Sequence, residues 1–336
     1  MQEQEKKPAS LLLKENIASF QATQTPDQRL KDYERLKKAT ETIRQSTTGK
    51  ALLNWASQNN IHIAFDHQMD RDARGLYALD TVLISPDVED QLLVSTIAHE
   101  LRHAWQDKKG MIPNHYDMSP AEYMVKRRIV EADAFAHEMQ ICGELFEEGI
   151  PEPLNRLTNH PEIYDLFGKG IDAFLNTYHD DPETLYGLKA MRAAFAGWFD
   201  SEACNSYDSH SLKYFQRVLP TMQDELDHTH QEENKPKSAS SFIKANIFEG
   251  QIDKHNGICY KDPLLFQDVF VTMDGRKYAN PTDRSHLDHR AYNPDMGVSP
   301  NLSAQYIAVM DAYEDWKYAA PKDYQVTRHH VTTPKQ

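Results

Sequence analysis

The sequence predicts an α+β fold, in which a small antiparallel sheet packs on one buried helix and the remainder of the chain is mostly helical. Two observations support this prediction. Three short segments between 61 and 85 show the alternation of apolar and polar residues that is typical of strands. The segments on either side, 26–58 and 86–228, show mostly the apolar spacing and the capping residues of helices.

The first elements of the chain should be two helices followed by three strands. The predicted helices cover residues 26–44 and about 48–58. The predicted strands cover residues 61–65, 75–79 and 82–85. In the first strand Ile61, Ile63 and Phe65 would share one face. The last two strands are expected to form a hairpin joined through Asp80 and Thr81.

The next two helices are marked by their ends. Ser85 precedes a proline and an acidic residue, which is a typical helix start, and two lysines before Gly110 form a typical stop. An apolar stripe indicates that this helix is buried, and it consists of Val94, Ile97, Ala98, Leu101 and Trp105. The following helix should begin in the capping box at 119–122 and continue to about 148.

Composition limits the partners that the protein can have. The 336 residues include 37 Lys and Arg against 51 Asp and Glu, which gives a formal net charge of −14. A chain this acidic is not expected to bind nucleic acid or an anionic membrane. No apolar stretch is long enough for a signal peptide or a membrane span. Three cysteines without a CxxC pair fit a reducing compartment, so we expect a cytoplasmic protein.

Residues 99–103 read HELRH and match the HExxH pattern of metal-binding helices. Because positions i and i+4 lie on one face of a helix, the imidazoles of His99 and His103 can reach the same metal ion. Glu100 is offset from that pair and is placed to act as a general base toward metal-bound water. Arg102 departs from the pattern, since this position is normally uncharged, so its guanidinium must reach solvent or a carboxylate.

A catalytic zinc site needs a third protein ligand. The extended pattern HExxHxxGxxH would require Gly and His where the chain has Gln106 and Lys109. The third ligand must therefore come from further along the chain. The best candidate is Glu131, which stands 28 residues after His103 in the middle of the next helix, among small and apolar residues. Burial of an isolated carboxylate there would be costly, and a metal ion would compensate it.

Other interpretations of this helix remain open. Glu131 could form an ion pair with Arg127 or Arg128, which precede it by one helical turn. Asp133 or His137 could be the third ligand instead. Asp133 could also accept a hydrogen bond from a ligand histidine rather than bind the metal.

The stretch HELRHAWQ, followed by a capped helix that contains EADAFA, resembles bacterial zinc metallopeptidases of the gluzincin type. It is most similar to an uncharacterised family of bacterial domains described only as metallopeptidases. EADAFA is also similar to the Glu-bearing helix of small peptidases that cleave phage-type repressors. The resemblance covers about 45–215. It implies a zincin-like fold and a zinc site at His99, His103 and Glu131, with Glu100 as the base.

Composition and the range of the resemblance together suggest how the chain is divided, since 231–241 is polar and low in apolar residues. We expect an N-terminal helical segment, a zincin-like metallopeptidase domain, a polar linker and a C-terminal region without an assigned function, at 1–45, 46–230, 231–241 and 242–336. The predicted function is zinc-dependent hydrolysis of peptide or protein amide bonds. The segment 76–85 is expected to provide the sheet edge to which a peptide substrate adds.

Two alternatives belong to other functional classes. The zinc fold could serve as a non-catalytic interaction module with the acidic residues 131–200 as its partner surface, although a structural site would not need Glu100. A second ExxH pattern, formed by Glu225 and His228, could combine with the first one in a di-iron carboxylate site. That second pattern has no apolar neighbours that would bury it.

Stabilisation of an oxyanion usually needs a hydrogen-bond donor in addition to the metal. The candidates are His115, Tyr116, Tyr207 and His210. The alternative for each of them, which the sequence favours, is an ordinary residue of a polar loop.

Overall fold

The computed structural model describes residues 24–69, 73–113, 120–231, 271–278, 305 and 308–309. The described residues belong to two compact units. The first unit falls within Met1–Ile112, Val125–Tyr207 and Asp262–Asn293. The second falls within Pro113–Met124, Asp208–Lys261 and Pro294–Gln336. The linker predicted at 231–241 lies outside the described residues except for its first residue, as does most of the C-terminal region.

The described chain is mostly helical with one small sheet, which confirms the α+β prediction. Its helices are α1 (Pro26–Ile43), α2 (Thr47–Gln58), α3 (Asp90–Lys108), α4 (Pro120–Glu147), α5 (Glu152–Asn159), α6 (Pro161–Asp180), α7 (Glu183–Tyr186), α8 (Lys189–Trp198) and α9 (Glu202–Gln231). Its strands are β1 (His62–Phe65), β2 (Gly75–Ala78) and β3 (Thr81–Ile84). All three predicted strands are present at the expected places in the sequence.

The sheet is mixed, so the prediction of an antiparallel sheet was wrong in one of its two pairings. The order is β1-β3-β2, with β3 antiparallel to β2 and parallel to β1. Strands β1 and β2 form the two edges of the sheet, and the hairpin that follows β2 places β3 between them. The hairpin turns at Leu79 and Asp80, which both have positive φ (49° and 64°), as tight two-residue hairpins require. Thr81 therefore belongs to β3 and not to the turn.

Helix α3 begins at Asp90 and not near Ser85 as the sequence suggested. The guanidinium of Arg35 on α1 donates to the backbone oxygens of Pro86 and Val88, at 3.0 and 2.5 Å. These carbonyl groups are thus engaged by a side chain from another helix, and the residues around them form a turn instead of the first helical turn.

Helix α3 lies in the core of the first unit, as its apolar stripe predicted. Every residue from Leu92 to Gln106 is buried. The helix packs on β2 and β3 and against α1 and α2, and side-chain hydrogen bonds join it to α4. Among the helices in the described part of the chain, none combines the length and the apolar character needed to span a membrane.

Candidate metal centre

The side chains of His99, His103 and Glu131 converge between α3 and α4. The Nε2 atoms of the two histidines lie 3.1 Å apart. Oε2 of Glu131 lies 3.4 Å from Nε2 of His99 and 3.3 Å from Nε2 of His103. All three residues are buried. Among the described residues they form a group that could hold a metal ion.

The spacing of these three atoms fits a tetrahedral ion. Two ligand atoms that are each bound at 2.0–2.1 Å to a tetrahedral zinc ion are about 3.3–3.4 Å apart. The Glu131 side chain is 1% exposed, with Oε1 2.8 Å from Nη2 of Arg127 and Oε2 beside the two imidazoles. A carboxylate in this position is costly to bury unless a cation compensates it. The distances and the donor set of two imidazole nitrogens and one carboxylate oxygen therefore fit a metal ion.

Both imidazoles are held through the ring nitrogen that faces away from the cluster. Nδ1 of His99 lies 3.1 Å from Oε2 of Glu138, and Nδ1 of His103 lies 2.7 Å from Oε1 of Gln106. When each ring carries a single proton, on Nδ1, that proton donates to these oxygens and the Nε2 lone pairs face the cluster, which is the arrangement of metal-binding histidines.

Sequence reasoning missed both of these supporting residues. Glu138 stands seven residues, or two helical turns, after Glu131, and Gln106 stands three residues after His103. Each therefore lies on the same helix face as a candidate ligand. This spacing was the sequence signal for the two supporting residues. It indicates a contact with His99 or His103 only when the packing of α4 on α3 is known.

Charges around the cluster shift the pKa values of its members. Burial alone would lower the pKa of His99, but its contacts with Glu131 and Glu138 outweigh burial and raise the pKa to about 10. Burial opposes the ionisation of Glu131, whereas Arg127 and His103 hold the pKa of this carboxyl well below its usual value. Glu131 is thus negatively charged at neutral pH, and a metal ion bound here would displace a proton from His99.

The ion pair that was an alternative for Glu131 is present as well. Nη2 of Arg127 lies 2.8 Å from Oε1 of Glu131, while Oε2 faces the two imidazoles. The two oxygens of the carboxylate thus have different neighbours. The arginine therefore does not occupy the oxygen that a metal ion would use.

The two other candidates for the third ligand lie away from the cluster. Asp133 accepts hydrogen bonds from Arg102, with Nε at 2.6 Å from Oδ2 and Nη2 at 3.1 Å from Oδ1. Nδ1 of His137 lies 2.8 Å from the backbone oxygen of Asp133. Of the two partners expected for Arg102, solvent or a carboxylate, the structure shows a carboxylate. Glu131 is the carboxylate that the structure places beside both imidazoles.

Glu100 lies on α3 against the first residue of β2. A Cβ atom added to Gly75 would stand 2.8 Å from Cγ and 3.0 Å from Oε1 of Glu100. The strand therefore approaches the Glu100 side chain so closely that glycine alone leaves enough room. The charge of Glu100 contributes to the pKa shifts of His99 and Tyr207, so this carboxylate is near the cluster.

Tyr207 is the candidate oxyanion donor that the structure places at the site. It lies on α9 and not in the loop that the sequence suggested. Burial and the Glu131 carboxylate raise the pKa of Tyr207 well above 10, so the hydroxyl keeps its proton and can donate it in a hydrogen bond. His210 belongs to the second unit, and His115 and Tyr116 lie outside the described residues.

Comparison with known protein families confirms the resemblance seen in the sequence. Residues 14–242 match a family described as "Putative metallopeptidase family (DUF6782)". The chain belongs to this family. The matched range contains α3, α4 and each residue of the cluster. No match was found among curated proteins or among solved structures.

Membership in this metallopeptidase family indicates a metal and a hydrolase, and the cluster of His99, His103 and Glu131 is where the described structure could hold that metal. The second ExxH pattern lies at the end of α9, where side chains are not described. A di-iron site that uses Glu225 and His228 thus gains no support from the part of the chain that the structure describes.

Proposed function

We propose that the protein is a zinc-dependent metallopeptidase that hydrolyses amide bonds of peptides or proteins, on a zincin-like fold. In this proposal His99, His103 and Glu131 are the zinc ligands and Glu100 is the general base. The observation that carries the proposal is the convergence of two Nε2 atoms and one carboxylate oxygen at 3.1–3.4 Å, next to a further buried carboxylate.

The donor set supports zinc and a catalytic role. Two imidazole nitrogens and one carboxylate oxygen are typical ligands of catalytic zinc, which leaves its fourth position to water or substrate. Structural zinc sites normally use four protein ligands, most of them cysteines. The cluster contains three candidate ligands and no cysteine, so its composition favours catalysis over a structural role.

Each residue around the cluster has a distinct task in this proposal. Zinc would act as a Lewis acid that polarises the scissile carbonyl group, and it would lower the pKa of a water molecule bound to it. Glu100 takes the proton from the attacking water and passes it to the leaving amine. Glu138 and Gln106 orient the imidazoles. Tyr207 donates a hydrogen bond to the carbonyl oxygen as negative charge develops there.

The sheet edge beside Glu100 offers a place for an extended peptide. Of the segment 76–85 suggested by the sequence, β2 lies at the edge of the described sheet, whereas β3 is its central strand. An edge strand can pair through its backbone with an added strand. Because β2 begins at Gly75, against Glu100, a peptide paired with β2 would pass the proposed base.

Replacement of Glu100 by Gln tests the function most directly. This change removes the base but keeps the shape of the side chain, so zinc content should be unchanged and turnover should fall by roughly 10²–10⁴. Tyr207→Phe should also keep the zinc and lower turnover by roughly 10²–10³. Cleavage can be measured as new peptide ends in a cell-lysate digest, detected by mass spectrometry.

The same experiment can reject the proposal. If zinc-loaded wild-type protein and Glu100→Gln protein give identical digests, the site has no hydrolytic role. The non-catalytic interaction module would then be the better interpretation of the cluster.

A further inference from the structure

A segment beyond the range of the family match enters the core of the first unit. The described residues 271–278 follow the last matched residue, 242, by almost thirty positions. Val271 and Lys277 pair across a turn that contains Gly275 with a φ of 82°. Tyr278, at the end of this segment, is completely buried. The family match alone thus does not include every part of the chain that packs around the proposed metal centre.

Tyr278 contacts helices on several sides. Its hydroxyl donates to Oδ1 of Asp133 at 2.6 Å, and its ring lies 5.9 Å from the rings of both His137 and Phe195. Nε of Arg192 donates to its backbone oxygen at 2.5 Å. Burial and Asp133 raise the pKa of Tyr278 well above 10, so the hydroxyl remains a donor.

Arg102 binds the same segment from the metal-binding helix. Its Nη2 donates to the backbone oxygen of Val271 at 2.9 Å, and its Nη1 lies 3.6 Å from Sδ of Met273. The charged residue at a normally uncharged position of HExxH therefore connects α3 to this segment and to Asp133 at once. The side chains of Arg102 and Asp133 are both completely buried.

Gln106 connects Asp133 to His103, a candidate zinc ligand, through hydrogen bonds. The amide Nε2 of Gln106 donates to Oδ2 of Asp133 at 2.7 Å and to the backbone oxygen of Val130 at 2.9 Å. Both of these partners accept hydrogen bonds, so the amide oxygen of Gln106 must face the other way. It lies 2.7 Å from Nδ1 of His103, where it fixes the orientation of the ring.

We propose that residues 271–278 complete the metal centre, and that Tyr278 is a positioning residue that acts on His103 through Asp133 and Gln106. This inference rests on the proposed function, because it assumes that His103 binds a metal ion. It assigns to a segment outside the family match a role in metal affinity and not only in packing. Residues that hydrogen-bond directly to a metal ligand typically change metal affinity or activity by 10–100-fold when they are replaced. Tyr278 is two hydrogen bonds further from the ligand, so its effect belongs at the low end of that range.

The test compares two tyrosines in the full-length chain. Tyr278→Phe removes one hydroxyl and keeps the ring, and we expect it to weaken zinc binding by about tenfold, at the low end of that range. Tyr178→Phe is the matched control, because Tyr178 is also buried and donates to the carboxylate of Glu147, away from the cluster. Zinc affinity is measured by competition with a chromophoric chelator, and urea unfolding reports the stability of each variant.

A double-mutant cycle tests the route itself. If the effect passes through Gln106, Tyr278→Phe should have less than about a twofold effect on zinc affinity in a Gln106→Ala background, since coupled residues are not additive. Equal tenfold losses in both backgrounds would exclude this route. A purely structural role for Tyr278 predicts lower stability with the zinc affinity of the wild type.

The possible failures can be distinguished from one another. If Tyr278→Phe and Tyr178→Phe both bind zinc like the wild type while His99→Ala does not bind it, the inference is wrong and the proposed function stands. If the wild type shows no zinc binding that depends on His99, the proposed function fails and the inference fails with it.

Discussion

Arg102 and Asp133 form a bidentate ion pair in which neither side chain is exposed, with distances of 2.6 Å from Nε to Oδ2 and 3.1 Å from Nη2 to Oδ1. This pair joins the helix that carries His99 and His103 to the helix that carries Glu131. The chain also contains a bidentate pair in solvent, in which Arg156 binds Glu89 at 2.8 and 2.7 Å. The two pairs have similar geometry and opposite burial, so they can be compared directly.

Replacement of Asp133 by Asn should destabilise the protein strongly. Loss of one partner of a buried ion pair leaves an uncompensated charge, which typically costs about 3–5 kcal/mol in the free energy of unfolding. Glu89→Gln removes the partner of the exposed pair and should have a much smaller effect, because solvent and salt screen that pair. Urea denaturation measures both variants. Equal losses in the two variants would show that the buried pair is not a principal connection between the helices.

Gly75→Ala should reduce turnover without loss of zinc. The added Cβ would stand 2.8 Å from Cγ of Glu100, so the side chain of the base must shift. A displacement of about 1 Å can lower a rate by about 10²-fold. Gly187→Ala is the control, because its Cβ would be 3.5 Å from the nearest atom, the backbone oxygen of Glu183. Turnover and zinc content are measured for both variants, and a fully active Gly75→Ala enzyme would argue against Glu100 as the base.

Two glutamates of α4 should respond differently to the same substitution. Glu138→Gln weakens the acceptor of His99 Nδ1 and should lower zinc affinity by about 10–100-fold. Glu144 is equally buried, but it accepts hydrogen bonds from the backbone nitrogen and the hydroxyl of Thr48, at 2.7 and 2.6 Å. Glu144→Gln should therefore lower stability and leave zinc affinity unchanged. Competition with a chromophoric chelator measures the zinc affinity of both variants. A lower zinc affinity in Glu144→Gln than in Glu138→Gln would contradict the assignment of Glu138.

Acid should destabilise the fold through His137. Burial, which disfavours the charged ring, and Arg102 lower the pKa of His137 to about 4, from an ordinary value of 6.5. Between these two values the unfolded chain binds more protons at this residue than the folded protein does, so stability falls as the pH drops from 6.5 to 4. The total loss is about 3 kcal/mol.

The variant His137→Gln isolates this contribution. Its free energy of unfolding should change less between pH 4 and 6.5 than that of the wild type. His179 lies at the exposed end of α6, so His179→Gln should show the same change with pH as the wild type. Urea unfolding at a series of pH values measures the free energy of unfolding of each variant. If the free energy of unfolding of His137→Gln depends on pH as strongly as that of the wild type, His137 is not a neutral buried group.

Local signals in the sequence predicted much of the site. The spacing of His99 and His103 follows from the helical period, and the apolar surroundings of Glu131 indicated a buried carboxylate that needs a counter-charge. The strands were found because their alternation is visible in four or five residues. The alternation has the same period in parallel and antiparallel strands, so it could not give the direction of β1 relative to β3.

Contacts between distant residues explain what the sequence could not predict. The start of α3 depends on Arg35, which engages two carbonyl groups more than fifty positions away. The hydrogen bond from Tyr278 to Asp133 joins residues 145 positions apart. No periodicity or capping rule reports such pairs, because they depend on how the elements pack. The departure of Arg102 from its motif predicted that its guanidinium reaches solvent or a carboxylate, and it did not identify Asp133.

The zinc content of the purified protein tests the central claim most directly. Elemental analysis should find about one zinc per chain in the wild type and in the Glu100→Gln variant, since Glu100 is not a ligand. The His99→Ala/His103→Ala double variant and Glu131→Ala should lose the metal or bind it far more weakly, while unfolding measurements confirm that they are folded. Full zinc content in the folded double variant would show that His99 and His103 are not the ligands and would contradict the account.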